Sequence, residues 1–77
     1  MGELDRIRWH CRRGMLELDL VLVRFLERHF AALPPEQRAA FEALLEYPDD
    51  VLWDLVCGRV HAEPGAAAAV VSLLRET

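Results

Sequence analysis

Proline and glycine divide this chain more firmly than any other feature of its sequence. Gly14, Pro34-Pro35, Pro48, Gly58 and Pro64-Gly65 cut 77 residues into five longer stretches and one short connection, residues 59–63. Within each of the five, apolar residues recur at spacings of three and four, and no stretch shows the alternation of a strand. The composition agrees, being rich in Ala, Leu, Glu and Arg, residues that favour helix. The chain is therefore expected to be all-α, a compact five-helix bundle with short loops, in one domain over residues 1–77. A hydrophobic share of 53% supplies one core but leaves little for a deep catalytic cleft.

The punctuation places each helix. The first runs from about Leu4 to Arg13, with Leu4, Ile7 and Cys11 on one face, and Gly14 is its bend or C-terminal stop. The second runs from about Met15 to Ala31. Met15, Leu18, Leu22, Phe25 and His29 make one apolar stripe, and Leu16, Leu20 and Val23 a second, so this helix is expected at the centre. Pro35 suits the first turn of a third helix, which carries Phe41, Leu44 and Leu45 inward and stops at Tyr47-Pro48. Asp49 or Asp50 is expected to cap the fourth, with Leu52, Leu55 and Val56 on its apolar face and Gly58 closing it. After a connection over residues 59–63, Pro64 or Gly65 opens a fifth helix whose Ala67, Val70, Val71 and Leu74 face the core.

Charge narrows the choice of partner. The formal net charge is -4, and all nine basic residues are arginine. Arg6, Arg8, Arg12 and Arg13 crowd the N-terminal segment, yet Glu3, Asp5, Glu17 and Asp19 balance them. A nucleic-acid binder shows an unbalanced basic face. The fourth helix is acidic and the fifth is rich in alanine, so neither serves as a recognition helix for DNA. Mixed charge with arginine suits a protein surface instead, where guanidinium groups pair with carboxylates in a plane. The absence of a secretory signal, a transit peptide or a membrane-length apolar run leads us to expect a bacterial cytoplasmic protein with reduced thiols.

Catalytic and metal chemistry find little footing. His10 and Cys11 are adjacent, so on a helix their side chains diverge by about 100° and cannot share an ion. His29, Cys57 and His61 are scattered, and buried thiols with half-exposed imidazoles are the simpler reading. Nearby arginines could lower the pKa of Cys11, but no third group completes a catalytic set. The four glycines are isolated, so no phosphate loop is present. Trp9 and Trp53 are expected at the edge of the core.

One segment resists a purely structural account. In a continuous helix Gly14 would cost about 1 kcal/mol relative to alanine. Arg13 and Glu17 would also pair in the less favourable order, cation before anion. A bend at Gly14 flanked by charges of both signs fits better. Without a side chain, Gly14 lets another polypeptide approach the backbone, with Arg13 and Glu17 in charged contact on either side. Replacing Gly14 with arginine is then expected to abolish docking and leave the fold nearly intact.

The stretch from Arg6 to Asp19 contains Arg13-Gly14-Met15-Leu16-Glu17, an R-G-x-x-E motif, preceded by Trp9 and Cys11 and followed by Asp19. With Phe25, Phe41, Leu44-Leu45-Glu46, Asp49-Asp50-Val51-Leu52-Trp53-Asp54 and Gly58-Arg59, it resembles the succinate dehydrogenase FAD assembly factors, small bacterial and mitochondrial proteins that promote covalent flavinylation. The likeness extends over about residues 4 to 75. Leu55 stands where the family often has tryptophan, and Pro34 where a Ser or Thr cap is common.

The resemblance implies a five-helix fold and a client, the flavoprotein subunit of succinate dehydrogenase or of the related fumarate reductase. In that client a histidine becomes bonded to the 8α-methyl carbon of FAD, and the assembly factor supplies no nucleophile and holds no cofactor of its own. Carried over by residue, Arg13, Gly14 and Glu17 match the motif, while Arg8, Trp9, Arg12 and Asp19 are flanking contacts or supports. The free protein is expected to be monomeric. An antitoxin or regulator using the same surface on another client is the alternative.

Overall fold

Local stop signals act where the sequence places them. In the computed structural model, which describes residues 2–77, the helices are α1 (Glu3–His10), α2 (Leu16–Arg28), α3 (Pro35–Leu44), α4 (Asp49–Cys57) and α5 (Ala66–Glu76). A 3-10 turn, Phe30–Ala32, follows α2. Among the described residues there is no strand. Pro35 stands in the first turn of α3, where its missing N–H costs nothing. Gly58 ends α4 at φ +83, with the Arg59 N–H donating to the Asp54 carbonyl. Gly65 opens α5 at φ 121. No helix among the described residues is long and apolar enough to cross a membrane.

Several boundaries differ from expectation. α1 ends at His10 rather than Arg13, because the chain tightens: the Cys11 N–H donates to Ile7 and Arg8 and the Arg12 N–H to Trp9. Residues 12–15 are non-helical, with Gly14 left-handed and Met15 extended, before α2 starts at Leu16. α2 stops at Arg28, and the rest of the expected helix is the 3-10 turn. Neither Asp49 nor Asp50 caps α4. Pro48 occupies that position without a side-chain bond, and both aspartates fall in the first turn, where their charge still complements the helix dipole.

The core gathers Ile7 of α1 and Cys11 just past its end, Leu18, Leu22, Phe25 and Leu26 of α2, Phe41 and Leu44 of α3, Leu52 and Leu55 of α4, and Val70, Val71 and Leu74 of α5. Phe25 stacks on Phe41 at 4.7 Å between ring centroids, and Phe30 tilts against Phe41 at 5.8 Å. Such pairs add roughly 0.5–1.5 kcal/mol beyond the area they bury. α5 packs against three other helices, α2, α3 and α4. Only one of the two apolar stripes of α2 is buried; Leu16, Leu20 and Val23 face outward. Leu4 is exposed as well. Arg75 ties α5 to the end of α4, its Nε and Nη2 donating to the Leu55 carbonyl at 3.1 and 3.0 Å. A cation there also suits the negative end of the helix dipole.

Candidate functional site

The turn between α1 and α2 is held by Arg13. Its side chain is only 14% exposed, and four of its five guanidinium N–H groups are bound within the protein. Nε donates to Asp49 Oδ1 at 2.8 Å, and Nη1 donates to the carbonyls of Leu45 at 2.5 Å and His10 at 3.3 Å. Nη2 donates to the Tyr47 carbonyl. Those carbonyls lie at the end of α1 and in the α3–α4 connection. One side chain therefore fastens the α1–α2 turn to the α3–α4 turn. Because the carboxylate and the carbonyls all accept, a planar, permanently charged donor fits here and lysine would not.

Asp19 fastens the other side. Its Oδ1 accepts the backbone N–H of Arg13 at 2.6 Å, reaching back from the first turn of α2. The bond does the work of a cap, satisfying a main-chain donor just before a helix start.

Between these two anchors stands Gly14, at φ +86. This is the left-handed region, which costs an L-residue roughly 1–2 kcal/mol and glycine nothing. A Cβ built on Gly14 meets no atom within 4 Å. The dihedral angle thus calls for glycine, and the position faces open space. The positive φ also revises one expectation: any replacement at Gly14 strains the free protein, so a substitution cannot leave stability untouched.

The remaining candidates are on the surface. Glu17, Arg8 and Arg12 are exposed, and their side chains make no hydrogen bond or ion pair among the described residues. Trp9 is 67% exposed, so it does not pack at the core edge as expected; Trp53 does, partly buried against it. Structure and sequence therefore divide the seven residues differently. Gly14, Glu17, Arg8, Arg12 and Trp9 are presented outward, while Arg13 and Asp19 hold the frame. Asp49 and the Leu45 and Tyr47 carbonyls belong to that frame too. Nothing local marked them, since they lie 32 to 36 residues from Arg13.

Cys11 is buried, and burial pushes its thiol up to about 12, outweighing the lowering effect of Arg13. The buried thiol expected at Cys11 is found there. Cys57 is exposed rather than buried, and no three His, Cys, Asp or Glu side chains gather among the described residues. A cleft of about 390 Å³ is lined by residues including Tyr47, Val51, Leu55, Val60 and His61, and meets the brace at Tyr47, whose carbonyl binds Arg13.

Residues 5–77 match the family described as flavinator of succinate dehydrogenase. The chain belongs to that family. Among curated relatives it is 39% identical over 71 residues to the FAD assembly factor SdhE of Coxiella burnetii, covering 92% of this chain and 87% of that protein. Against the SdhE of Methylococcus capsulatus identity is 39% over 75 residues, 97% and 90% of the two chains. Against that of Vibrio cholerae it is 46% over 66 residues, 86% and 77%. No solved structure matches significantly.

Proposed function

We propose that this protein is a docking factor for the flavoprotein subunit of succinate dehydrogenase, or of the related fumarate reductase, and promotes covalent attachment of that subunit's FAD. The observation that carries the reading is the surface at Gly14. An open, side-chain-free position stands on a turn that Arg13 and Asp19 hold rigid, with Arg12 and Glu17 exposed beside it. A rigid pad loses little conformational entropy on binding, which favours affinity.

The cofactor and the bond-forming groups belong to the client. The factor acts by binding best to the client conformation in which the reacting histidine and the flavin are aligned. A preference of about 1.4 kcal/mol enriches that conformation tenfold. Better alignment then speeds a reaction that the factor itself does not perform. It acts in the bacterial cytoplasm as a monomer, without catalytic turnover of its own.

Co-expression of the flavoprotein subunit with and without this chain tests the reading, with covalent flavin followed by in-gel fluorescence. The wild-type chain is expected to raise the covalent fraction well above that of the client alone. Equal covalent flavin in both cultures would refute it.

A further inference from the structure

Leu16, Leu20 and Val23 are 69%, 46% and 41% exposed. Spaced by four and three, they share one face of α2, opposite the buried Leu18, Leu22 and Phe25. A single exposed leucine needs no explanation, but three in a row on one helical face mark a contact site. The row begins beside the candidate site. Leu16 is the first residue of α2, two positions after Gly14 and beside the exposed Glu17, so the row starts at the edge of that surface, and Leu20 follows one turn later. At the far end, Val23 and Leu26 share a shallow cleft of about 160 Å³ with Arg8, Arg12 and Glu27. Arg8 and Arg12 have no ion pair among the described residues, so a basic edge accompanies the apolar row.

We infer that Leu16, Leu20 and Val23 form the apolar centre of the docking interface and receive an apolar ridge, flanked by carboxylates, on the flavoprotein subunit. The inference rests on the docking function proposed above. An apolar centre with a charged rim is the arrangement of stable interfaces. Continuity with Gly14 and Glu17 assigns the face to the client. A second copy of this chain in antiparallel pairing would instead set one basic edge against the other.

Titration calorimetry of the full chain against the purified flavoprotein subunit tests the inference. Because these side chains are exposed, Leu20→Glu and the double variant Leu20→Ala/Val23→Ala are expected to keep the wild-type helix content and melting temperature. Leu20→Glu should weaken docking at least tenfold, and the double variant about three- to tenfold. If Leu20→Glu binds within twofold of wild type while Gly14→Arg does not bind, the apolar row lies outside the interface, and the docking function stands without it. If the wild-type chain fails to bind the subunit, both fall. Sedimentation equilibrium of the free chain supplies the last arm: a wild-type dimer that Leu20→Glu dissociates would overturn the inference in favour of self-association.

Discussion

Replacing Gly14 separates a cost to the free protein from a cost to docking, because the two have different dependence on side-chain size. Gly14 sits at φ +86 with no atom within 4 Å of a Cβ. Alanine and arginine there meet the same backbone strain and no clash, so each should destabilise the free chain by about 1–2 kcal/mol. In a domain of this length that lowers Tm by about 4–16 °C. Asparagine tolerates the left-handed region better and should lose less. Docking should respond otherwise. Forcing extra atoms into a packed contact costs about 1–3 kcal/mol, or about 5- to 150-fold in Kd, and the cost grows with the side chain. Gly14→Ala is therefore expected near the lower end and Gly14→Arg at or beyond the upper. The assay pairs calorimetric melting with titration against the flavoprotein subunit, at least 20 °C, roughly twice a typical shift, below each variant's Tm. Equal affinities for the alanine and arginine variants, each reduced only by its unfolded fraction, would refute the pad and leave Gly14 as a bend.

The frame around the pad makes further claims. Asp49→Ala removes the charged acceptor of a largely buried guanidinium but leaves its carbonyl partners; a loss of about 1–2 kcal/mol is expected, measured by urea unfolding, and an unchanged midpoint would contradict the brace. Arg13→Lys should cost about as much, since one ammonium cannot span the same acceptors, and docking should weaken with it. Asp19→Ala should lower stability by about 1 kcal/mol through loss of the Arg13 N–H acceptor, again read from denaturant midpoints. Cys11 gives a pH dependence. Its folded pKa of about 12 stands above the ordinary 9.0, so the unfolded chain loses the proton first as pH rises. Stability is then fully kept below pH 9 and falls between 9 and 12, by up to about 1.4 kcal/mol per pH unit. The decline should be shallower in Cys11→Ala, and a parallel decline in both would show that other groups cause it.

What the sequence made legible is what acts locally. Pro35, Gly58 and Gly65 govern the residues beside them, and all three stand at helix boundaries. The buried stripe of α2 was readable from its spacing. The end of α1 was not. A helical reading carries it to Arg13, but that side chain is drawn out of line by acceptors 32 to 36 residues away. The same long-range contact took Asp49, which local rules assign to capping α4. Periodicity also showed two apolar faces on α2 without showing which one the fold would cover, since that depends on where α5 packs. The motif was visible as a pattern, but its division into a bare surface and a buried brace required coordinates. Arg13 reads as a contact in the sequence and serves as a strut in the fold.

Amide hydrogen exchange of the chain, free and bound to the flavoprotein subunit, bears most directly on whether the α1–α2 turn meets the client. Slowed exchange over residues 12–17 on binding, with the cleft beside residues 59–63 unchanged, is the expected result. Protection confined to that cleft, with residues 12–17 exchanging as in the free protein, would contradict the account.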